Sequence, residues 1–498
     1  MKVVVVGNGM AGSRVVEEIC ARPGRGGLSV TVLGAEPHGA YNRILLSEVL
    51  AGRHTADAIA LTSPGWARQH GVDLRLATPA VALDPARRTV TAADGSVLGY
   101  DTLVLATGSR PWLPPVAGLA GPDGQLVPGA AVFRSLDDCR ALMAAAAAAR
   151  RALVLGGGVL GLEAARGLAG RGLPVSLVHD AGHLMDRQLD RAAGRVLSRT
   201  LGRLGVSVRT GARAAAVTTG PDGRLTGLAL ADGTRLAADL LVVACGVRPE
   251  ISLAAGAGLA TGQGVIVDDT LRSVSHPGIY AVGECAQHNG LVYGLVAPAW
   301  EQAAVLAGRL TGTAPDARYT GSRLVTRLKA TGIELAAMGE AATEDTAAGE
   351  HGDGTEVLHF ADPARGTYKK LVIRDGRVVG AILLGDIDTV GTVTQLFDRG
   401  APAPADRVSL LFSASQIGGI GGTAGADDPA ATPAAATVCH CNGVPKAAIQ
   451  ASVAAGACSV AEVAAATRAT TGCGTCRGAV AALVDWLTAV PQPQEAAS

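Results

Sequence analysis

The chain has 498 residues, and its 43 basic and 43 acidic side chains leave no formal net charge. This length predicts three or four domains, and the charge balance argues against a nucleic-acid-binding surface. The sequence has no apolar run of about 18 residues that would predict a membrane span, and its nine cysteines are too sparse for a secreted disulfide framework. Because the N-terminus leads directly into a strand, we expect no signal peptide and a cytoplasmic location.

The N-terminal segment predicts a strand, a glycine-rich turn, a helix and a second strand, at residues 3–6, 7–12, 13–20 and 29–33. The turn, Gly7-Asn8-Gly9-Met10-Ala11-Gly12, has the G-x-G-x-x-G pattern. Its glycines allow a tight turn, close approach of the backbone to a pyrophosphate, and close packing of the helix. Glu36 follows the second strand, where a ribose-binding carboxylate is expected. Arg43 is either a phosphate or flavin contact, or a solvated surface residue.

A second unit of the same kind starts with a strand at 152–155 and continues to 175–179. Its turn is Gly156-Gly157-Gly158-Val159-Leu160-Gly161, so two dinucleotides are expected. Residue 179, where an acid would favour NAD by repelling a 2′-phosphate, is a histidine followed by Asp180. The sequence favours NADH without settling the choice, and His179 is either a ribose contact or a strand-end histidine. Glu163 is either a catalytic acid beside the flavin and nicotinamide rings, or an acid that stabilises the helix N-terminus.

Four cysteines near the C-terminus form two pairs with Cys-x-Cys and Cys-x-x-Cys spacing: Cys439 and Cys441, then Cys473 and Cys476. Four thiolates at one point bind an iron–sulfur cluster or zinc, and the count does not distinguish the two. The two upstream nucleotide units favour the redox-active cluster. Cys458, between the pairs, is predicted to be a small buried hydrophobe. His440 lies close to the cluster or faces solvent.

Several motifs resemble a known group of flavoproteins. Ala106-Thr107-Gly108 and the G-I-Y-A-V-G-E segment ending at Glu284 are similar to motifs of the flavoprotein disulfide reductase superfamily, in particular of ferredoxin and rubredoxin reductases. V-H-D-A-G-H-L-M-D-R-Q-L-D (178–190) and Y-G-L-V-A-P (293–298) resemble the assimilatory nitrite reductase large-subunit family, which includes the electron-transfer subunit of assimilatory nitrate reductase. The cysteine module resembles the bacterioferritin-associated-ferredoxin-like [2Fe–2S] domain. No Cys-x4-Cys dithiol follows the first turn, so disulfide reduction is not expected.

Strands predicted at 100–107, 240–246 and 278–283 indicate an α/β fold of two doubly wound dinucleotide-binding domains, with the NAD domain inserted into the FAD domain. The expected boundaries are 1–118 and 246–315 for FAD, 119–245 for NAD(P)H, 316–415 for a small α+β domain, 416–436 for a flexible linker, and 437–490 for a helical [2Fe–2S] module. Turns are predicted at Asp375-Gly376 and Gly385-Asp386.

The resemblance implies a site for each cofactor. The expected FAD contacts are Gly7, Gly9, Met10, Ala11, Gly12, Glu36, Arg43, Ala106, Thr107, Gly108, Arg110, Gly283 and Glu284. The expected NAD(P)H contacts are Gly156, Gly158, Val159, Leu160, Gly161, His179, Asp180 and Gly246. The expected cluster ligands are Cys439, Cys441, Cys473 and Cys476.

The resemblance also implies an NAD(P)H-dependent oxidoreductase of nitrate assimilation that passes electrons from NADH through FAD and the [2Fe–2S] cluster to a catalytic reductase subunit. A molybdenum nitrate reductase is the favoured partner, and a sirohaem nitrite reductase or a ferredoxin- or rubredoxin-type acceptor is the alternative. Nitrite reductase large subunits continue into a sirohaem domain with Cys-x5-Cys and Cys-x3-Cys motifs. This sequence has neither motif, so electron delivery rather than nitrite reduction is expected. A redox-sensing regulator is a third interpretation, although the sequence shows no helix-turn-helix or basic patch.

Overall fold

The computed structural model describes residues 1–342, 354–413, 432–439, 442–471 and 476–489. The chain divides into two compact units. The first unit contains Met1–Val178 and Ala212–Leu324, and the second contains His179–Gly211 and the described residues from Val325 onward. In these described ranges, no helix combines the length and apolar character that a bilayer crossing requires.

The strands of the described residues are, in chain order, β1 Lys2–Val6, β2 Ser29–Leu33, β3 Val72–Arg75, β4 Ala80–Asp84, β5 Thr89–Ala92, β6 Val97–Gly99, β7 Thr102–Leu105, β8 Ser109–Pro111, β9 Ala130–Val132, β10 Ala152–Leu155, β11 Val175–Val178, β12 Val206–Arg209, β13 Ala214–Thr219, β14 Leu225–Leu230, β15 Arg235–Ala237, β16 Leu240–Val243, β17 Val247–Pro249, β18 Val265–Val267, β19 Ile279–Ala281, β20 Ala286–His288, β21 Val325–Ala330, β22 Ile333–Gly339, β23 Thr355–Asp362, β24 Thr367–Arg374, β25 Arg377–Leu384, β26 Thr437–Cys439 and β27 Val444–Pro445.

The α-helices of the same residues are α1 Met10–Ala21, α2 Leu46–Leu50, α3 Trp66–Gln69, α4 Leu136–Ala148, α5 Val159–Gly170, α6 Arg191–Arg203, α7 Ser252–Gly256, α8 Val296–Leu310, α9 Val390–Arg399, α10 Lys446–Ala454, α11 Val460–Thr467 and α12 Arg477–Ala489. Short 3₁₀ helices occupy Arg25–Gly27, Arg43–Leu45, Asp57–Ile59, Gly283–Cys285 and Val408–Leu410.

The first sheet of the first unit has the strand order β19-β7-β1-β2-β3, and its strands are parallel. Strand β1 is a run of valines that is buried on both faces, as is usual for the centre of a parallel sheet. It pairs with β2 on one side and with β7 on the other. Because β19 pairs with β7, the chain returns to this first sheet after it has formed the second nucleotide unit.

The second sheet repeats this arrangement with β11-β10-β16-β9, again in parallel. Strand β10 is fully buried between β11 and β16, and helix α5 follows it as α1 follows β1. Two doubly wound parallel sheets in one chain confirm the predicted α/β class. Antiparallel pairs complete this unit, among them β8 with β17, in which Arg110 lies opposite Arg248.

The second unit is built on an antiparallel sheet with the order β21-β22-β25-β24-β23. Helix α9 packs its apolar side chains, Val390, Val393 and Phe397, against one face of this sheet. The predicted turn at Asp375-Gly376 joins β24 to β25, and both residues have positive φ. Gly385-Asp386 instead follows β25 and leads towards α9.

The C-terminal module packs three short helices, α10, α11 and α12, against one another. The antiparallel pair β26 and β27 precedes them. Most of the predicted linker, Cys441, Cys473 and His440 lie outside the described residues. The described part of the module consists mainly of these three helices, as predicted.

Candidate functional site

The first glycine turn has a backbone that only glycine accommodates at two of its positions. Gly7 has a φ of 114°, and a Cβ there would lie 2.1 Å from the Ala106 carbonyl oxygen. A Cβ on Gly12 would lie 1.9 Å from the Gly7 carbonyl oxygen. The turn thus brings β1, β7 and the start of α1 to one point.

Gly9 differs from these two glycines because its missing side chain leaves an open space. Its φ is −79°, and the nearest atom to a Cβ would be Arg43 Nε, at 3.8 Å. Gly9 is the N-cap of α1, and within the described residues no side chain caps this helix and no acidic residue lies in its first turn, which begins Met10-Ala11. A helix N-terminus beside a guanidinium favours an anion such as a pyrophosphate.

Glu36 and Arg43 face each other at the edge of this space. Arg43 Nη2 donates to Glu36 Oε1, and the Tyr41 hydroxyl donates to Glu36 Oε2 over 2.7 Å. The Arg43 guanidinium also stacks on the Tyr41 ring, 5.0 Å from its centroid. Burial raises the pKa of Tyr41 well above its usual range, so its hydroxyl stays a donor. Arg43 is 25% exposed, and this favours the phosphate interpretation over that of a surface arginine.

Glu284 lies at the other end of the same region. Arg134 Nη2 and the Ser109 hydroxyl both donate to Glu284 Oε2, the latter over 2.7 Å. Gly283 has a φ of 77°, its N–H donates to Gln302 Oε1 over 2.7 Å, and a Cβ there would lie 2.7 Å from the Ala11 Cβ. The Gly283–Cys285 turn therefore seats Glu284 next to the first turn of α1.

The remaining predicted contacts of this site separate into two groups. Ala106 contacts the glycine turn, the Thr107 hydroxyl donates to the Glu250 carbonyl over 2.6 Å, and Gly108 has a φ of 70°. Arg110 is not brought to Glu284. Its side chain is 70% exposed and pairs with Glu250, because successive residues of β8 point to opposite faces and Ser109 takes the inward position.

The second glycine turn has nearly the same backbone geometry as the first. Gly156 has a φ of 116°, and a Cβ there would lie 2.3 Å from the Ala244 carbonyl oxygen. A Cβ on Gly161 would lie 2.0 Å from the Gly156 carbonyl oxygen. Gly158 is the N-cap of α5 with no side-chain cap among the described residues, and nothing lies within 4 Å of a Cβ built on it. Val159-Leu160 form the first turn of α5, so this second helix N-terminus also fits a phosphate.

Two further predicted residues of the second site, Glu163 and Gly246, differ in their contacts. Glu163, in the second turn of α5, is only 6% exposed, and its charge helps to raise the pKa of Arg53, after the larger effect of the hydrogen bond to Glu48. Gly246 follows β16 with a φ of 103°, and its carbonyl accepts from the Trp112 N–H over 3.0 Å.

His179 and Asp180 lie in the second compact unit, at the start of its range His179–Gly211. His179 Nε2 lies 3.0 Å from Asp186 Oδ1, and Asp180 is exposed. The carboxylate of Asp186 thus lies beside the His179 ring.

Two of the four predicted cluster ligands lie within the described residues. Cys439 ends β26 and is fully buried, and Cys476 is 8% exposed and directly precedes α12, where its carbonyl accepts from the Val480 N–H. Thiolates beside a helix N-terminus are stabilised by its dipole. The prediction for Cys458 was wrong. Its side chain is exposed, because it lies in the turn before Ser459, the N-cap of α11.

Asn442 joins the two cysteine-bearing segments. It is 3% exposed, and its Nδ2 donates to the Arg468 carbonyl over 2.6 Å and to the Thr471 hydroxyl over 3.1 Å. Arg468 and Thr470 both have positive φ, so this segment is held in an unfavourable conformation. Sequence reasoning missed Asn442, whose only signal is its place directly after the first cysteine pair.

Residues 1–304 match the family model described as pyridine nucleotide-disulphide oxidoreductase. The chain belongs to this family. Residues 325–401 match the rubredoxin NAD+ reductase C-terminal domain, and residues 437–486 match the BFD-like [2Fe–2S] binding domain. These matches confirm the expected cofactors, FAD, NAD(P)H and a [2Fe–2S] cluster, and decide against zinc.

Relatives in this oxidoreductase family extend over nearly the whole chain. It is 38% identical over 480 residues to a nitrite reductase [NAD(P)H] of Bacillus subtilis, covering 96% of this chain and 56% of the relative. It is 36% identical over 488 residues to the assimilatory nitrate reductase electron transfer subunit of the same organism, covering 98% and 60%. The chain therefore spans less than two thirds of the length of these relatives, and the resemblance to their family is confirmed.

A solved structure shows the same fold. The covalent putidaredoxin reductase–putidaredoxin complex superposes with a TM-score of 0.71 at 25% identity, covering 80% of this chain and 94% of that chain.

The described residues fit the family's flavin. Two buried donors, Asn8 Nδ2 within the first glycine turn and Arg134 Nε beside Glu284, have no hydrogen-bond partner among the described residues. Buried donors of this kind usually have an acceptor, and a phosphate- and hydroxyl-bearing ligand supplies one. Arg134, Ser109 and Tyr41 were missed from the sequence because each is a single polar residue outside any motif.

Proposed function

We propose that this oxidoreductase carries electrons from NAD(P)H through FAD and the [2Fe–2S] cluster to a separate catalytic reductase, with assimilatory nitrate reductase as the favoured acceptor. The observation that carries the proposal is the pair of glycine turns, which share their backbone geometry at Gly7 and Gly156 and precede a cysteine module on the same chain. Two dinucleotide sites allow hydride transfer between their ligands, and the module offers a one-electron outlet. The proposed domain boundaries are those expected from the sequence.

The first turn is assigned to FAD because charged residues surround it. In this proposal Arg43 and the α1 N-terminus bind the pyrophosphate, Glu36 accepts from a ribose hydroxyl, and Glu284 accepts from a ribityl hydroxyl. Bound FAD supplies the chemistry that no side chain has, accepting a hydride and releasing electrons one at a time. The protein contributes the orientation of the two dinucleotides.

The second turn is assigned to NAD(P)H. The α5 N-terminus binds its pyrophosphate, and Glu163, buried one turn further, is proposed as the acid beside the nicotinamide. The carboxylates of Asp180 and Asp186 near His179 would repel a 2′-phosphate, which supports NADH over NADPH.

Electrons leave through the C-terminal module, whose buried Cys439 and Cys476, with Cys441 and Cys473, are the proposed cluster ligands. Support for the nitrate partner comes from the relative named as an assimilatory nitrate reductase electron transfer subunit. A two-polypeptide nitrite reductase is the second candidate, because the relative of 38% identity is a nitrite reductase.

The test is NADH-driven reduction under anaerobic conditions with purified acceptors supplied separately: a molybdenum nitrate reductase, a sirohaem nitrite reductase and a rubredoxin. We expect nitrate reduction only when the chain, NADH and the molybdenum protein are all present. A Cys476→Ser variant is the matched control, because it should reduce ferricyanide while failing with the protein acceptor. If the chain turned over with the sirohaem nitrite reductase but not with the molybdenum nitrate reductase, nitrite reductase would be the partner instead. Failure to oxidise NADH with any acceptor, ferricyanide included, would overturn the electron path.

A further inference from the structure

Two consecutive lysines on β24 are buried in the second unit. Lys369 is 0% exposed and Lys370 is 1% exposed. Because neighbouring residues of a strand point to opposite faces, the two ammonium groups enter different environments. A buried ammonium is costly unless it is paired, so each partner indicates what the lysine holds in place.

Lys369 contacts residues of its own small domain. Its Nζ donates to Asp386 Oδ2 over 2.6 Å and to the Leu411 carbonyl over 2.5 Å, and it lies 4.9 Å from the Phe412 ring centroid. All three partners follow β25 in the chain. This lysine therefore stabilises the small domain internally.

Lys370 contacts a different part of the chain. Its Nζ donates to Asp190 Oδ2 over 3.2 Å, and the Tyr368 hydroxyl donates to the same oxygen over 2.6 Å. The other oxygen, Asp190 Oδ1, accepts from the Ala193 N–H over 2.8 Å and so caps α6. Asp190 is 3% exposed. Both oxygens of this buried carboxylate are thus fixed, one by α6 and one by β24.

The residues that precede Asp190 form a compact segment, 179–190, in which a shift of Asp190 would be transmitted. The His179 N–H donates to the Arg209 carbonyl over 2.8 Å, and the Leu189 N–H donates to the Met185 carbonyl over 2.9 Å. Met185 and Leu189 are at most 1% exposed. His179 Nε2 is held 3.0 Å from Asp186 Oδ1.

We propose that Lys370 and Tyr368 are positioning residues for recognition of the adenosine ribose of NAD(P)H, acting through Asp190 on the segment 179–190. This inference rests on the proposed function, in which His179 and Asp180 meet that ribose. Neither Lys370 nor Tyr368 is a catalytic residue. Their loss should therefore weaken NADH binding and leave the rate of the bound complex nearly unchanged.

The test compares Lys370→Met with Lys369→Met in the flavin-loaded full chain. The two changes remove the same charge from the same strand at the same burial. If Lys370→Met leaves the segment correctly placed for about a tenth of the time, the apparent Kd for NADH rises about tenfold. We expect KM and directly titrated Kd to rise by this factor in Lys370→Met, with kcat for ferricyanide reduction within about twofold of wild type. Lys369→Met should lower the melting temperature without changing Kd.

Hydrogen exchange provides a readout that does not depend on turnover. Amides of residues 179–190 should exchange faster in Lys370→Met and at the wild-type rate in Lys369→Met. If Lys370→Met does not fold, Tyr368→Phe and the charge-neutral pair Asp190→Asn with Lys370→Met take its place, with the same expected rise in Kd. Equal Kd values in the Lys370 and Lys369 variants would overturn this inference alone. A wild-type chain that does not bind NADH would overturn the proposed function and the inference with it.

Discussion

Alanine at Gly9 should remove FAD without unfolding the protein. Gly9 has a φ of −79°, which alanine adopts freely, and the nearest atoms to its new methyl group, Arg43 Nε and Nη2, lie 3.8 and 4.0 Å away. The folded chain thus has room for the methyl group. The proposed pyrophosphate needs the same room.

The size of the effect follows from these distances. A phosphate oxygen bound to Arg43 would lie about 2.8 Å from a guanidinium nitrogen, in the volume that the methyl group occupies. Losing two charge-assisted hydrogen bonds, at about 1.5–3 kcal/mol each, costs about 3–6 kcal/mol. FAD affinity should therefore fall by about 10²–10⁴-fold.

The assay is FAD titration of the apoprotein by flavin fluorescence, with circular dichroism to verify folding. Gly158→Ala is the matched control, because nothing lies within 4 Å of its Cβ, and it should keep FAD while raising the KM for NADH. Gly7→Ala should fail to fold, since its Cβ would lie 2.1 Å from the Ala106 carbonyl oxygen. Wild-type FAD affinity in a folded Gly9→Ala variant, or flavin loss from a folded Gly158→Ala variant, would refute the assignment of the two turns.

Three further predictions concern the cysteines and their supports. Cys476→Ser should lose the cluster while NADH still bleaches the flavin in stopped flow, and an intact cluster spectrum would contradict its role as a ligand. Asn442→Ala removes hydrogen bonds of 2.6 and 3.1 Å, so the module should lose about 1–3 kcal/mol of stability and release iron to a chelator faster; an unchanged release rate would show that this contact is dispensable. Burial raises the pKa of Cys139 to about 11, so at pH 8 it stays a protonated thiol, and mass spectrometry after iodoacetamide treatment should show the exposed Cys458 labelled first. Faster labelling of Cys139 than of Cys458 would contradict the burial of Cys139.

Most of the fold was predictable because it depends on local patterns. The apolar runs at β1 and β10, each followed by a glycine turn, fixed both parallel sheets, and β2 and β10 have the predicted bounds. Helix α1 begins at Met10 rather than at residue 13, because its first turn includes the glycine turn itself. The strand predicted at 100–107 is shorter, Thr102–Leu105, and the residues beside it bond elsewhere: the Tyr100 N–H donates to the Arg88 carbonyl, and the Thr107 hydroxyl donates to the Glu250 carbonyl.

The candidate site was less predictable, because its polar contacts join distant parts of the chain. Arg134 and Glu284 are 150 residues apart, and no spacing rule connects them. Lys370 was equally hidden, since a charged residue on a strand is expected to face solvent, and its burial depends on Asp190. Cys458 was misjudged because thiols are usually buried, whereas the turn before α11 exposes this one.

The two glycine turns share a backbone, but their third residues open onto different surroundings. A Cβ built on Gly9 would lie 3.8 Å from Arg43 Nε, whereas nothing lies within 4 Å of a Cβ built on Gly158. Charge-assisted hydrogen bonds are stronger than neutral ones, and differences in affinity lie mostly in the dissociation rate, so a ligand that Arg43 contacts should dissociate more slowly. Under the proposed assignment, the same fingerprint would give FAD a long residence time and let NAD(P)H exchange rapidly, which is what a resident cofactor and a turnover substrate respectively require.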